Sequence, residues 1–180
     1  KTRSRVFVAR FIDDNNKENG SATGVIDPAN PTRISPTDPI RYLGTSEVWS
    51  SDRNLAANPK APLMFTDKPW IAVDVPRSGA SCKVKTAGGS SILAGTVYVA
   101  WSQFYQTGVP GQDDYQSDVM ISWSNDCGET WTAPMKINTA NSLANAGVTI
   151  AIEPITGRVY VAWRRGRWPA DPKPAAKQVD

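Results

Sequence analysis

Histidine is absent from the 180 residues, which removes both the imidazole general base and the commonest transition-metal ligand. Cysteine is scarce: two residues, Cys82 and Cys127, are too few for a thiolate metal cage. Neither sign of charge dominates. Twenty Lys and Arg face 17 Asp and Glu, and a net charge of +3 with a pI near 8.9 is not the footprint of a nucleic-acid-binding surface. No apolar run is long enough to span a bilayer, and Lys1 to Arg5 is basic and polar, without the apolar segment that a secretory leader carries. Metal, cofactor, nucleic acid and a membrane span are therefore not expected, and export has to be argued from other features.

What is plentiful points to β-structure. Seven Trp need deep packing with a polar outlet, and fourteen Pro punctuate short strands. Hydrophobic residues make up 40% of the chain, enough for one domain with a real core. Arg5 to Phe11 alternates in side-chain character and predicts a strand. The oxygen-rich run Asp13 to Glu18 fails the spacing of an EF-hand loop and reads as a solvated turn rather than a calcium site. A long loop from Gly20 to Pro39 follows, after which Ile40 to Ser50 is expected to return beside the first strand. A competing registration takes Ser46 to Ser50 as the strand before a turn at Ser51-Asp52-Arg53-Asn54. Beyond the proline-rich connector Asn58 to Pro69, strands are expected at Trp70 to Asp74, Thr96 to Trp101, Asp118 to Trp123 and Pro134 to Asn138. Loops fill Val75 to Gly95 and Gln103 to Ser117.

The most distinctive stretch is Ser124-Asn125-Asp126-Cys127-Gly128-Glu129-Thr130-Trp131. Asp126 can accept from backbone N–H groups just downstream, Gly128 can take positive φ, Ser124 and Thr130 can tie the loop mouth, and Trp131 can anchor the outgoing strand. The pattern Ser-x-Asp-x-Gly-x-Thr-Trp resembles the Asp-box, or BNR repeat, of sialidase-like β-propellers. Asp13 falls on Asp126 when the first strand is laid over the same pattern, giving a degenerate second box.

The chain also repeats itself. Ile150-Ala151-Ile152-Glu153 copies Ile71-Ala72-Val73-Asp74, and Val159-Tyr160-Val161-Ala162-Trp163 copies Val97-Tyr98-Val99-Ala100-Trp101. The unequal offsets are absorbed by the intervening loop, long in one copy (Val75 to Gly95) and short in the other (Pro154 to Gly157). Tandem four-stranded units of this length predict an all-β fold of propeller blades: outer strands of one blade with a long loop insertion in 1–65, a complete blade in 66–138 and the inner half of a third in 139–180. A ring needs about four to eight blades. The expectation is thus a fragment, completed by further sequence or by another chain.

In a four-stranded meander the connection between strands one and two and the hairpin between strands three and four leave the same end. Cys82 and Cys127 sit in those two loops and are expected to pair, in an oxidising compartment; the alternative is two free thiols. The resemblance implies that Ser124, Asp126, Gly128, Thr130 and Trp131 are architectural and that chemistry lies at the other end. That end offers Asp67 and Lys68, the loop with Tyr105, Asp113, Asp114 and Tyr115, and the basic residues Arg164, Arg165 and Arg167. Arginines could clamp a sugar carboxylate, aspartates could act as acid or base, and a tyrosine could be a nucleophile. The bland readings are a solvated loop start, a turn and a packed loop anchor. The set that the resemblance implies for a sialidase, three arginines, a Tyr–Glu pair and an Asp, is not matched residue by residue. Two functions stay open: an exported sialidase-like glycoside hydrolase acting on glycans, or a non-catalytic extracellular binding or assembly module.

Overall fold

The structure, a computed structural model, describes residues 4–13, 40–51, 64–80, 82–85, 91–106, 115–139 and 144–166. The described residues form ten strands: β1 (Arg5–Asp13), β2 (Ile40–Ser50), β3 (Met64–Val73), β4 (Lys83–Lys85), β5 (Ser91–Leu93), β6 (Val97–Gln106), β7 (Tyr115–Ser124), β8 (Met135–Lys136), β9 (Ala144–Ile152) and β10 (Val159–Gly166). Every pairing is antiparallel. The expected all-β, antiparallel architecture is what the chain adopts.

A four-stranded sheet, ordered β3-β6-β7-β8, forms the middle layer, with the two-stranded sheets β1-β2 and β9-β10 on either side of it and a small β4-β5 sheet in the β3–β6 connection. Alternation along β6 dictates this layering. Val99 and Trp101 point to one face, where they bury Val6, Val48 and Trp49 of the first hairpin and gather Met64, Met120 and Trp131 around them. Tyr98 and Ala100 point the other way, where Ala100, Val119 and Ile121 pack against Val148 and Ile150 of β9. The central sheet therefore has a core on each side. Trp101 has no exposed surface, and truncating so large a buried side chain costs on the order of 3 to 5 kcal/mol.

Polar seams fix how the layers register. Asn145 is buried on the β9 side; its N–H meets Ser117 Oγ at 2.5 Å, its Nδ2 meets the Ser117 carbonyl at 2.6 Å, and its Oδ1 accepts from Trp163 Nε1 at 3.1 Å. On the other side Ser4 Oγ lies 2.7 Å from Thr66 Oγ1 and accepts from the Thr66 N–H. Buried groups so paired cost little, whereas an orphaned one would cost about 1 to 3 kcal/mol.

Several elements differ from the sequence reading in extent. β3 begins at Met64, inside the expected connector, because a bulge between Asp67 and Trp70 carries the chain past Pro69 with Lys68 at φ +49°. β6 and β7 run on to Gln106 and back from Tyr115, which shortens the loop between them. The Val75 to Gly95 loop contains the β4-β5 hairpin, and where it returns Gly95 approaches the Asp74 carbonyl so closely that a Cβ would sit 2.0 Å from it. β2 pairs with β1 along its whole length, the first of the two registrations. Trp70 to Val73 is apolar on both faces, but among the described residues β3 is the outermost strand of its sheet, with Trp70, Ile71 and Val73 about half exposed.

The antiparallel course sorts the connections by end. The turns after β3, β7 and β9 lie together, as the bond from Thr96 Oγ1 to Asn125 Oδ1 and those from Arg77 to Ile155 and Pro154 show. Met64, Tyr105, Gln116, Ala144 and Gly166 mark the opposite end.

Candidate functional site

The turn at 124–131 is built around one carboxylate. Asp126 Oδ1 accepts from Ser124 Oγ at 2.6 Å, Thr130 N–H at 2.9 Å and Glu129 N–H at 3.0 Å, and Oδ2 accepts from the Thr130 hydroxyl. Ser124 Oγ in turn accepts from the Gly128 N–H at 2.8 Å. Two successive residues take positive φ, Cys127 at +62° and Gly128 at +78°. Burial pushes the Asp126 pKa up, but the bonds from Ser124 and Thr130 outweigh it and hold the group at about 2.

This turn also docks on the neighbouring layer. Trp131 Nε1 donates to Ser46 Oγ at 2.8 Å, and Ser46 Oγ donates to the Gly128 carbonyl at 2.6 Å. Arg10 Nη1 reaches Glu129 Oε1 at 3.0 Å, and its methylenes close over Gly128, where a Cβ would lie 3.3 Å from Arg10 Cδ. Trp131 thus packs into the core that β1 and β2 share with β6. The outgoing segment is held by Thr132, whose N–H donates to the Trp123 carbonyl and whose Oγ1 accepts from the Trp123 N–H. Cys127 stands beside Cys82 at disulfide distance, with Cα atoms 5.5 Å apart.

Two further carboxylates organise the same end. Asp74, buried at the end of β3, is gripped by Arg77 through Nε (2.5 Å) and Nη2 (2.8 Å) and accepts from the Val75 N–H at 2.8 Å. The Arg77 bond, aided by the Val75 N–H, holds Asp74 below its ordinary 3.8 against the pull of burial. The other side of the same guanidinium reaches the carbonyls of Ile155 (2.9 Å), Glu153 (3.2 Å) and Pro154 (3.2 Å), fastening the β9–β10 turn to the central sheet. Glu153 caps that turn, accepting from Ile155 and Thr156 N–H and from the Thr156 hydroxyl, and these bonds lower its pKa. A polar cleft of about 300 Å³ opens between the two ends of the β3–β6 connection and the Asp126 turn, lined by Asp74, Arg77, Ser78, Gly95, Thr96 and Asn125. Its charged groups are spent on each other, so its chemistry is that of a joint.

At the opposite end the residues singled out from sequence are only partly assembled. Asp67 lies half-buried in β3 opposite Ser102, and Lys68 and Pro69 are exposed on the bulge. Tyr105 donates to Gln116 Oε1 at 3.4 Å; burial, with the Asp118 charge, raises its pKa, while Lys136 works against that rise. Asp118 and Lys136 pair at 2.7 Å. Arg164 and Arg165 are exposed at the end of β10, opposite Ala146 and Asn145. Asp113, Asp114, Arg167, the expected turn from Asp14 to Glu18 and the expected loop Gly20 to Pro39 lie outside the described residues. A nucleophilic tyrosine needs its pKa lowered, so the environment of Tyr105 runs against that role. Among the described residues no group of three or more Cys, Asp or Glu is placed to hold a metal ion.

Sequence reasoning missed Ser46, Arg10 and Arg77, which carry the contacts between layers. For Arg77 a signal existed: it stands three residues after Asp74, and the repeat equates Asp74 with Glu153. No family model matches the chain, and no curated protein or solved structure matches it either.

Proposed function

We propose that these 180 residues are a segment of an exported, sialidase-like Asp-box β-propeller that acts on glycans through the end opposite the Asp126 turn. The observation that carries this reading is the Asp126 turn itself, whose hydrogen-bonded carboxylate, positive-φ Gly128 and Trp131 docked on the adjacent layer form an architectural joint. With that end committed to joining layers, the end with Asp67, Lys68, Tyr105, Arg164 and Arg165 is left for ligand. Arginines there suit an acidic sugar, whose carboxylate a guanidinium meets with two parallel bonds. The Cys82–Cys127 pair favours an oxidising, extracytoplasmic location.

The second reading, a non-catalytic binding module on the same scaffold, is favoured by the raised pKa of Tyr105 and its bond to Gln116. One experiment separates the two. Titration with a sialylated oligosaccharide by NMR should perturb resonances of β3 and β10 at that end, and a fluorogenic sialoside should be turned over between about pH 4 and 8 if the segment is catalytic. Binding without turnover selects the module; shifts confined to the Asp126 end refute both.

A further inference from the structure

The two copies of the repeat bulge at the same place. The alignment that lays Ile150 on Ile71 lays Ala146-Gly147-Val148-Thr149 on Asp67-Lys68-Pro69-Trp70. Asp67 and Trp70 face Ser102 and Ala100, with Lys68 and Pro69 set against Trp101 alone. Ala146 and Thr149 face Arg164 and Ala162, with Gly147 and Val148 set against Trp163 alone. In each bulge the first extra residue is left-handed, Lys68 at φ +49° and Gly147 at φ +68°. The two bulged strands, β3 and β9, pack side by side.

Glycine is the residue such a backbone favours, and one copy has it. In the other a lysine holds the same conformation and precedes a proline, which pushes its neighbour towards extended backbone, so the conformation is penalised twice. The side chain returns nothing to the fold. Lys68 is exposed, and among the described residues no hydrogen bond or ion pair engages its ammonium, not even from Asp67 beside it. Backbone strain kept without a structural return marks a side chain that acts outside the fold.

We infer that Lys68 is the specificity-determining cation of the glycan end, selecting sugars that carry a carboxylate. The inference rests on the glycan reading above. Interrupting the alternation of β3, the bulge presents the ammonium to solvent, and the exposed Arg164 stands across from Ala146, the residue before Gly147. Two cations thus flank the paired bulges. Neither bulge sets an exposed carboxylate against them: Asp67 is half-buried, and its counterpart is Ala146. Gly147, with no atom within 4 Å of where a Cβ would stand, leaves the neighbouring bulge open to the rest of a sugar. A carboxylate bound at Lys68 accepts a charge-assisted bond that a neutral sugar cannot form.

NMR titration of the 19.5 kDa chain with sialyllactose, its neutral parent lactose and an oligogalacturonate tests this, on the wild type and on Lys68→Gly and Lys68→Arg. The wild type is expected to bind an acidic sugar about tenfold more tightly than lactose, the size of effect a charge-assisted bond supplies. Lys68→Gly should lose that preference and Lys68→Arg keep it. Because Lys68→Gly gives the bulge the residue its counterpart has, its urea unfolding midpoint should hold or rise, which separates a lost contact from a lost fold. A preference that survives in Lys68→Gly, a wild type that binds lactose as tightly as either acid, or a lower midpoint for Lys68→Gly would overturn the inference. Sialyllactose bound without regard to Lys68 would leave the glycan reading standing. A Lys68-dependent preference for the oligogalacturonate, with no binding of sialyllactose, would uphold the inference and sink the sialic-acid reading. A wild type that binds none of the three would overturn both.

Discussion

Replacing Asp126 by alanine isolates the worth of one carboxylate, because its partners are all local. Four donors converge on it, two hydroxyls and two backbone N–H groups, and its pKa falls from an ordinary 3.8 to about 2. By linkage that fall corresponds to about 2.5 kcal/mol in favour of the folded state. Water reaches part of the turn and can take up the freed N–H groups of Glu129 and Thr130, so the expected loss is smaller, about 1 to 2 kcal/mol. The sign with pH follows from the depressed value. The contribution is whole above about pH 4, where the unfolded carboxyl is ionised, and it is lost as pH falls towards 2. Urea unfolding monitored by tryptophan fluorescence, at neutral pH and at steps down to about pH 2.5, should show Asp126→Ala less stable at neutrality and the two proteins converging in acid. Asp126→Asn keeps one acceptor oxygen and should fall between them, without that part of the acid slope. An unchanged midpoint for the alanine variant at neutral pH, or a constant gap across the pH range, would refute the assignment of the turn's stability to this ionised group.

Cys82 and Cys127 are 45 residues apart in sequence, and on the loop-entropy scale a cross-link of that span stabilises by about 4 kcal/mol, so Cys82→Ser should lower stability by roughly 2 to 4 kcal/mol. The check is the unfolding midpoint with and without reductant: reductant should move the wild type and leave the variant where it is. Arg77→Met keeps the stem but removes every contact to Asp74 and to the 153–155 carbonyls. Amide exchange in the β9–β10 turn should quicken while the Asp126 turn keeps its protection, and the Asp74 pKa, followed by NMR, should rise; equal exchange in both turns would mean the clamp holds nothing.

Local alternation made β1, β6, β7 and β10 readable: β6 and β7 place alternate residues in two opposed cores, while β1 and β10 turn one face to a core and leave the other exposed. Ser124, Asp126, Gly128 and Thr130 were readable for a similar reason, as every bond to the Asp126 carboxylate and the bond from Gly128 N–H to Ser124 lie within a few residues. What escaped depends on distance along the chain. Ser46 meets Trp131 across 85 positions and Arg77 meets Ile155 across 78, and nothing near an isolated serine or arginine marks such a partner. β3 was cut short because Pro69 reads as a strand breaker. A bulge with Lys68 in the left-handed region, a conformation that costs about 1 kcal/mol, lets the strand continue around it. At the opposite end Asp67, Tyr105 and Arg164 could be assigned to one end by strand direction, but their mutual approach depends on loop conformation that periodicity does not encode.

That bulge has a consequence for colloidal behaviour. Among the described residues β3 is the outermost strand of its sheet, and its second half, Trp70-Ile71-Ala72-Val73, is an apolar stretch of the sort that templates edge-to-edge association. The bulge breaks its line of hydrogen-bonding groups in the middle, Pro69 has no N–H to offer, and Lys68 puts a charge at the break. A second β3 could therefore zip onto only half of this edge at a time, which steers chains away from uncontrolled sheet extension on the side where their apolar strand is most open.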